Sequence, residues 1–125
     1  MRVVDAGVVV ELLANDLDPA QLGDEDLAAP HLIDSEVTNV LRRLARQGAL
    51  TQPQATAALD GFMELAMTRF AADWLLPRMW ELRDNLSVYD ATYVALAEMT
   101  QATALLTTDA RLANAPGIRC PVELL

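Results

Sequence analysis

Four acidic residues stand where their side chains could act together, namely Asp5, Glu36, Asp90 and Asp109. Carboxylates gathered at one point repel each other, by roughly 3 kcal/mol for a pair about 5 Å apart at an effective dielectric constant near 20. Such a cluster persists when it binds a cation, and an all-oxygen ligand set suits Mg²⁺ or Mn²⁺. The chemistry expected of these residues is therefore the binding of a divalent metal ion.

Each of the four acids also has an ordinary structural interpretation. Asp90 follows Ser87 by three residues, as in a helix capping box. Asp109 could favour the positive end of a helix dipole, Asp5 could be a loop acid, and Glu36 could be solvated. A shared site is favoured because all four acids occupy comparable positions in the predicted topology.

Short β-rich segments alternate with helical apolar periodicity along the chain. The first strand is predicted to end at Asp5, with a helix beginning near Ala6 or Gly7. Further strands are predicted at residues 27–29, 70–73, 103–107 and 120–123. Further helices are predicted at residues 32–47, 53–68, 77–85 and 87–101, with a short one opening at residues 108–112. This alternation predicts an α/β fold, a three-layer α/β/α sandwich around a central, mostly parallel sheet.

The predicted topology brings the four acids to one edge of that sheet. Asp5 ends the first strand, and Asp109 directly follows the apolar strand at residues 103–107. Glu36 and Asp90 lie early in helices, and helix N-termini share an edge with the carboxyl ends of parallel strands. Asp34 is a further acid near Glu36, which we interpret as a solvated first-turn residue.

The composition of the chain indicates one folded domain spanning residues 1–125. Its hydrophobic content is 53%, and no apolar run is long enough to cross a bilayer. Asp5 interrupts any signal-peptide core, and Cys120 has no second cysteine to pair with, so we expect a cytoplasmic protein. His31 is the only histidine, which excludes a zinc site built from several His and Cys ligands.

The charge of the chain restricts the ways in which it could bind nucleic acid. The formal net charge is −9, and all nine basic residues are arginines. Either nucleic acid is not the ligand, or it is held locally by a few arginines and a bound cation. The absence of lysine excludes Schiff-base chemistry and a Walker-type phosphate loop, and it argues against a phospho-receiver regulator.

Four segments together resemble the PIN domain, specifically the VapC-type toxins of bacterial toxin–antitoxin pairs. They are Val4-Asp5-Ala6, Ser35-Glu36-Val37, Tyr89-Asp90-Ala91-Thr92-Tyr93-Val94-Ala95-Leu96-Ala97-Glu98 and Leu105-Leu106-Thr107-Thr108-Asp109. The resemblance covers nearly the whole chain, and the segment from Tyr89 to Glu98 is its most specific part. One departure is Gly7, where the family often has Ser, Thr or Asn.

The resemblance implies an endoribonuclease that depends on Mg²⁺ or Mn²⁺. In the family pattern, Asp5, Glu36, Asp90 and Asp109 are the catalytic metal-binding acids, and the cation activates a water that attacks the RNA phosphodiester. Thr107 matches a supporting residue whose hydroxyl contacts a carboxylate or a bound water.

The resemblance also implies a homodimer and a cognate VapB-type antitoxin, while transfer, ribosomal and messenger RNA all stay open as targets. Arg43 and Arg111 are the candidates for contacts with RNA phosphates, with solvent-facing ion pairs as the alternative. The rival function is a catalytically weak or inactive PIN-like module that binds RNA or protein.

Overall fold

The computed structural model describes residues 1–125. The strands are β1 (Arg2–Val4), β2 (Leu27–Pro30), β3 (Thr68–Phe70), β4 (Ala104–Thr107) and β5 (Val122–Leu124). The α-helices are α1 (Ala6–Ala14), α2 (Leu32–Arg46), α3 (Gln52–Glu64), α4 (Leu76–Glu81), α5 (Val88–Met99) and α6 (Ala110–Ala113). Short 3₁₀ helices are formed by Pro19–Leu22 and Asp73–Leu75. None of the helices combines the length and the apolar character needed to cross a bilayer.

The five strands form one sheet in the order β3-β2-β1-β4-β5, and every neighbouring pair is parallel. The chain builds outward from β1 to β3, then returns to place β4 on the other side of β1. The strand order therefore reverses between β1 and β4. In open parallel sheets, ligands bind outside the carboxyl ends of the strands at such a reversal.

Helices flank the sheet in two groups. Helices α1, α2 and α3 pack on one another, whereas α4 packs on α5, and α5 also contacts β1, β2 and β4. The predicted fold class, a three-layer α/β/α sandwich with a mostly parallel sheet, is confirmed, and the sheet is parallel throughout.

Helix α5 is the most deeply buried helix, with every residue from Ala91 to Ala97 buried. Its alanines let its backbone approach the sheet closely, while Val94 and Leu96 fill the space between. Its start is fixed by Ser87, whose Oγ accepts a hydrogen bond from the Asp90 amide at 3.1 Å. Burial and capping together hold Asp90 at a defined place on the carboxyl edge of the sheet.

The prediction was wrong at the boundary between α3 and β3. The helix predicted to reach residue 68 ends at Glu64, and the strand predicted at residues 70–73 lies at Thr68–Phe70. Met63 and Ala66 continue the apolar spacing of the helix but are exposed. The competing interaction is the sheet itself, because residues 68–70 pair with residues 28–30 of β2. Strand pairing overrides local helical periodicity here.

Candidate metal centre

All four predicted acids line a single cleft of about 310 Å³ at the carboxyl edge of the sheet. Asp5 directly follows β1, and Asp109 lies two residues beyond β4, the strand that pairs with β1. Glu36 is contributed by the first turns of α2 and Asp90 by the first turn of α5. The cleft thus lies at the reversal of strand order, and its acids come from four separate segments of the chain.

Asp5 and Asp109 are held together by the hydroxyl of Thr107, the last residue of β4. This hydroxyl is fully buried and donates a hydrogen bond to Oδ2 of Asp5. It also accepts one from the Asp109 amide at 3.0 Å. The other carboxylate oxygen of Asp5 caps α1 by accepting from the Val8 amide at 2.9 Å. The Thr107 side chain thus contacts a carboxylate of the cleft directly.

Glu36 is positioned by a residue that the sequence analysis did not assign to the site. The buried hydroxyl of Tyr93 on α5 donates to Oε1 of Glu36 across 2.5 Å. Burial and this hydrogen bond raise the pKa of Tyr93, so the phenol remains a donor at neutral pH. The sequence indicates that Tyr93 lies near the site through its spacing from Asp90, because residues three apart share a helix face.

Three of the four carboxyl groups have raised pKa values. Burial is the main cause for Asp5, Glu36 and Asp90, and negative neighbours across the cleft add to it. Asp90 and Asp109 raise the pKa of Asp5, and Asp109 raises that of Asp90, which the Ser87 hydrogen bond and the charge of Arg111 lower in turn. The protein compensates the ionised cluster only in part, through Arg111, and a cation in the cleft would favour its charged form.

Asp109 differs from the other three acids. Although slight burial acts in the opposite direction, hydrogen bonds from Arg111 lower the pKa of Asp109. Its Oδ1 accepts from the Arg111 amide at 2.9 Å as the N-cap of α6, and the Arg111 guanidinium lies 3.5 Å from Oδ2. Arg111, a candidate RNA ligand, is thus engaged with an acid of the cleft while its side chain stays 93% exposed.

The donor set fits Mg²⁺ or Mn²⁺. Every candidate ligand is a carboxylate oxygen, and no three Asp, Glu, His or Cys side chains are already arranged to hold one ion between them. Mg²⁺ commonly takes only one or two direct carboxylates and retains several waters, so a wide acidic cleft is compatible with it. The hard oxygen donors disfavour soft metals, and His31 is exposed and outside the cleft.

The other residues considered from the sequence differ in whether they line the cleft. Arg43 lines it from α2 and is exposed. Asp34 lies outside it and forms an ion pair with Arg69 at 2.9 Å, which ties α2 to β3. Gly7 lines the cleft, and a Cβ atom built there would lie only 2.5 Å from the Thr108 hydroxyl oxygen. The space that a side chain at position 7 would take is therefore filled by Thr108.

Fold and site together define an α/β domain with an acidic cleft at the switch point of a parallel sheet, in which the candidate metal ligands are all carboxylate oxygens. A family model for the PIN domain matches residues 2–118 of the chain. Ribonuclease VapC9 of Mycobacterium tuberculosis is 44% identical over 126 residues, covering 100% of this chain and 98% of its own. The chain belongs to the PIN-domain family, in its VapC-type group, and the resemblance inferred from sequence is confirmed.

Solved structures show the same fold. The protein PAE2754 of Pyrobaculum aerophilum superposes with a TM-score of 0.68 at 29% identity, covering 89% of this chain and 81% of its own. The toxin–antitoxin complex from Klebsiella pneumoniae contains a chain with a TM-score of 0.63 at 18% identity, covering 99% and 100%. At that identity the second likeness concerns the fold alone.

Proposed function

We propose that this protein, as one PIN-like domain over residues 1–125, is the ribonuclease toxin of a toxin–antitoxin pair and an endoribonuclease dependent on Mg²⁺ or Mn²⁺. The observation that carries the proposal is the convergence of Asp5, Glu36, Asp90 and Asp109 on one cleft. The ribonuclease names of relatives such as VapC9, which spans the whole chain at 44% identity, support RNA as the substrate. The four acids would hold the cation, directly or through water.

When bound, such a cation supplies Lewis-acid activation of water and offsets negative charge on the phosphodiester. The protein's own contribution is to position the acids before substrate arrives. Thr107 fixes the distance between Asp5 and Asp109 through its two hydrogen bonds. Tyr93 holds Glu36 toward the cleft and contributes no charge of its own. Positioning of this kind is worth most when the supporting groups are rigid, and both are buried.

Binding of RNA to so acidic a chain needs local positive charge. Arg43 reaches the cleft from α2 and forms no ion pair, so its guanidinium is available for a phosphate oxygen. Arg111 lies beside Asp109. When RNA binds, the Arg111 guanidinium would leave Asp109 and contact a phosphate oxygen. A bound cation would then compensate the charge of Asp109. We propose both arginines as phosphate contacts.

The partner proposed for the toxin is a VapB-type antitoxin, and the assembly proposed is a homodimer. Membership of the VapC-type group supports the antitoxin. The net charge of −9 favours a basic partner segment.

The decisive experiment is cleavage of total cellular RNA by the purified chain freed of any partner. Mg²⁺, Mn²⁺ and EDTA are compared, with Glu36→Gln as the test variant. Asp34→Asn is the matched control, since Asp34 lies on the same helix but outside the cleft. We expect discrete fragments that require the metal, vanish in Glu36→Gln and persist in Asp34→Asn.

Two outcomes would contradict the proposal. Folded, partner-free protein that binds RNA without cutting it in either metal would support the rival binding module. Cleavage that continues in Glu36→Gln would show that the acidic cleft is not the active site.

A further inference from the structure

A second cavity, of about 470 Å³, adjoins the acidic cleft. It is lined by Leu32, Ser35, Glu36, Asn39 and Tyr89. Glu36 and Asn39 line both cavities, so a polymer held at the acids would continue directly into this one. One side of the cavity is formed by α2 and the other by the first turn of α5.

Tyr89 is the unusual residue of this cavity. It stands one position before Asp90, and its side chain is 62% exposed. The next tyrosine of the same helix, Tyr93, is 2% exposed, and its hydroxyl donates a hydrogen bond to Glu36. Packing in the core accounts for the presence of Tyr93. It does not account for Tyr89, whose aromatic ring is exposed to solvent beside the proposed active site. An aromatic ring exposed at the mouth of a cavity is a feature typical of recognition sites.

The side chains that line this cavity indicate which kind of ligand it could bind. No basic residue lines the cavity, and its one acid, Glu36, is shared with the acidic cleft, so a phosphate group is disfavoured. The aromatic ring of Tyr89 and the apolar side chain of Leu32 suit a flat, apolar face. The Ser35 hydroxyl and the Asn39 amide are both exposed and offer donors and acceptors to the edge of a ring. This combination matches an unpaired nucleobase.

We propose that this cavity binds the nucleobase adjacent to the scissile phosphate of single-stranded RNA, with Tyr89 stacking on it. The assignment rests on the proposed ribonuclease function for the position of the phosphate. Ser35 and Asn39 contact the edge of the base, and they set whatever preference the site has among bases. Tyr89 is a binding residue, and it takes no part in the hydrolytic step.

The first test measures binding without cleavage. Labelled oligo(A), oligo(C) and oligo(U) are titrated by fluorescence anisotropy into the Asp109→Asn chain, which keeps the RNA intact. Adding Tyr89→Ala is expected to weaken binding by between about fivefold and 150-fold, the range found for loss of one base stack. Tyr89→Phe and Tyr89→Trp are expected to retain affinity because each keeps a ring. Val88→Ala is the matched control, because Val88 is an exposed neighbour of Tyr89 that lies outside the cavity.

The second test uses cleavage, with an RNA whose cut site has been mapped. Abasic nucleotides replace the residues on either side of the cut, one at a time. Tyr89→Ala is expected to slow cleavage of the intact RNA but to have no further effect when the stacked base is already missing. Such non-additivity is evidence that the side chain and the base act on each other.

The outcomes separate this proposal from the function on which it rests. Binding that depends on Tyr89 in a chain that never cuts RNA would overturn the nuclease assignment and keep the base site. Normal cleavage with unchanged binding and kinetics in Tyr89→Ala would overturn the base site and keep the nuclease. Absence of oligonucleotide binding would overturn the base site, and so would a Tyr89→Ala chain that changes only its dimerisation, since the cavity would then be a protein interface.

Discussion

Gly7 offers a sharp test of how tightly the proposed site is packed. A Cβ atom at this position would lie 2.5 Å from Oγ1 of Thr108 and 3.4 Å from Oδ1 of Asp5. Gly7 occupies the second position of α1, and its backbone does not require glycine, since it lies outside the positive-φ region. On helix propensity alone, Gly7→Ala should raise the free energy of unfolding by about 0.5–1 kcal/mol.

Packing opposes this gain. A distance of 2.5 Å is too short for a non-bonded contact between a carbon and an oxygen atom, so Thr108 must move, and its β-branched side chain has only χ1 with which to do so. Overpacking of this kind costs about 1–3 kcal/mol. We therefore expect Gly7→Ala to lower the free energy of unfolding by about 1 kcal/mol, taking the middle of both ranges.

Two backgrounds isolate the cause. Thr108→Ala removes the obstructing oxygen, so Gly7→Ala should become stabilising there by about 0.5–1 kcal/mol. Thr108→Val keeps the bulk without the hydroxyl, so the substitution should stay unfavourable. Urea unfolding of the six chains in EDTA gives the coupling energy, which we expect to be about 2 kcal/mol. An effect of Gly7→Ala that is the same in all three backgrounds would refute the steric argument.

Two further predictions follow from the hydrogen bonds and charges of the cleft. Burial and the neighbouring Asp109 raise the pKa of Asp90 in the folded protein. The protonated carboxyl group therefore stabilises the fold fully below pH 3.8, the usual pKa of an aspartate, and this stabilisation is lost as the pH rises through the raised pKa. Without metal, Asp90→Asn should therefore be more stable than the parent at neutral pH but not in acid, as urea unfolding across pH will show; a gap independent of pH would contradict this. Thr107→Val should lower the free energy of unfolding by about 1–3 kcal/mol and slow RNA cleavage, because partners on Asp5 and Asp109 are lost. Thr107→Ser should restore both stability and rate, and its failure to do so would argue that the threonine methyl group matters instead.

The fold could be predicted from sequence because apolar periodicity specified most elements. The apolar run of β4 and the buried length of α5 are both unambiguous in the sequence. The boundary at α3 and β3 was not predictable in this way, since Met63 and Ala66 extend a helical pattern that sheet pairing interrupts. Local patterns indicate which state a segment prefers, whereas pairing with a distant strand decides where it stops.

The acids of the site were predicted from topology, but the residues that support them were only partly found. Asp5 and Asp109 follow neighbouring strands, which alternating strands and helices imply. Tyr93 meets Glu36 across 57 positions of sequence, and no local pattern encodes that contact. The filling of the Gly7 space by Thr108 likewise depends on the register between β1 and β4.

The distribution of arginines reconciles an acidic chain with an RNA substrate. Arg2, Arg69, Arg78 and Arg111 are held in ion pairs, and Arg83 lies over the ring of Trp80. Arg42, Arg43, Arg46 and Arg119 have neither an acidic partner nor an aromatic ring beneath them. Three of these four lie on α2, the helix that also carries Glu36 and borders the cleft. Among the arginines of α2, Arg43 alone lines the cleft, whereas Arg42 and Arg46 line a separate groove between α2 and α3. In a chain with a net charge of −9, this unpaired charge of Arg43 beside the acids favours RNA contact at the edge where cleavage is proposed.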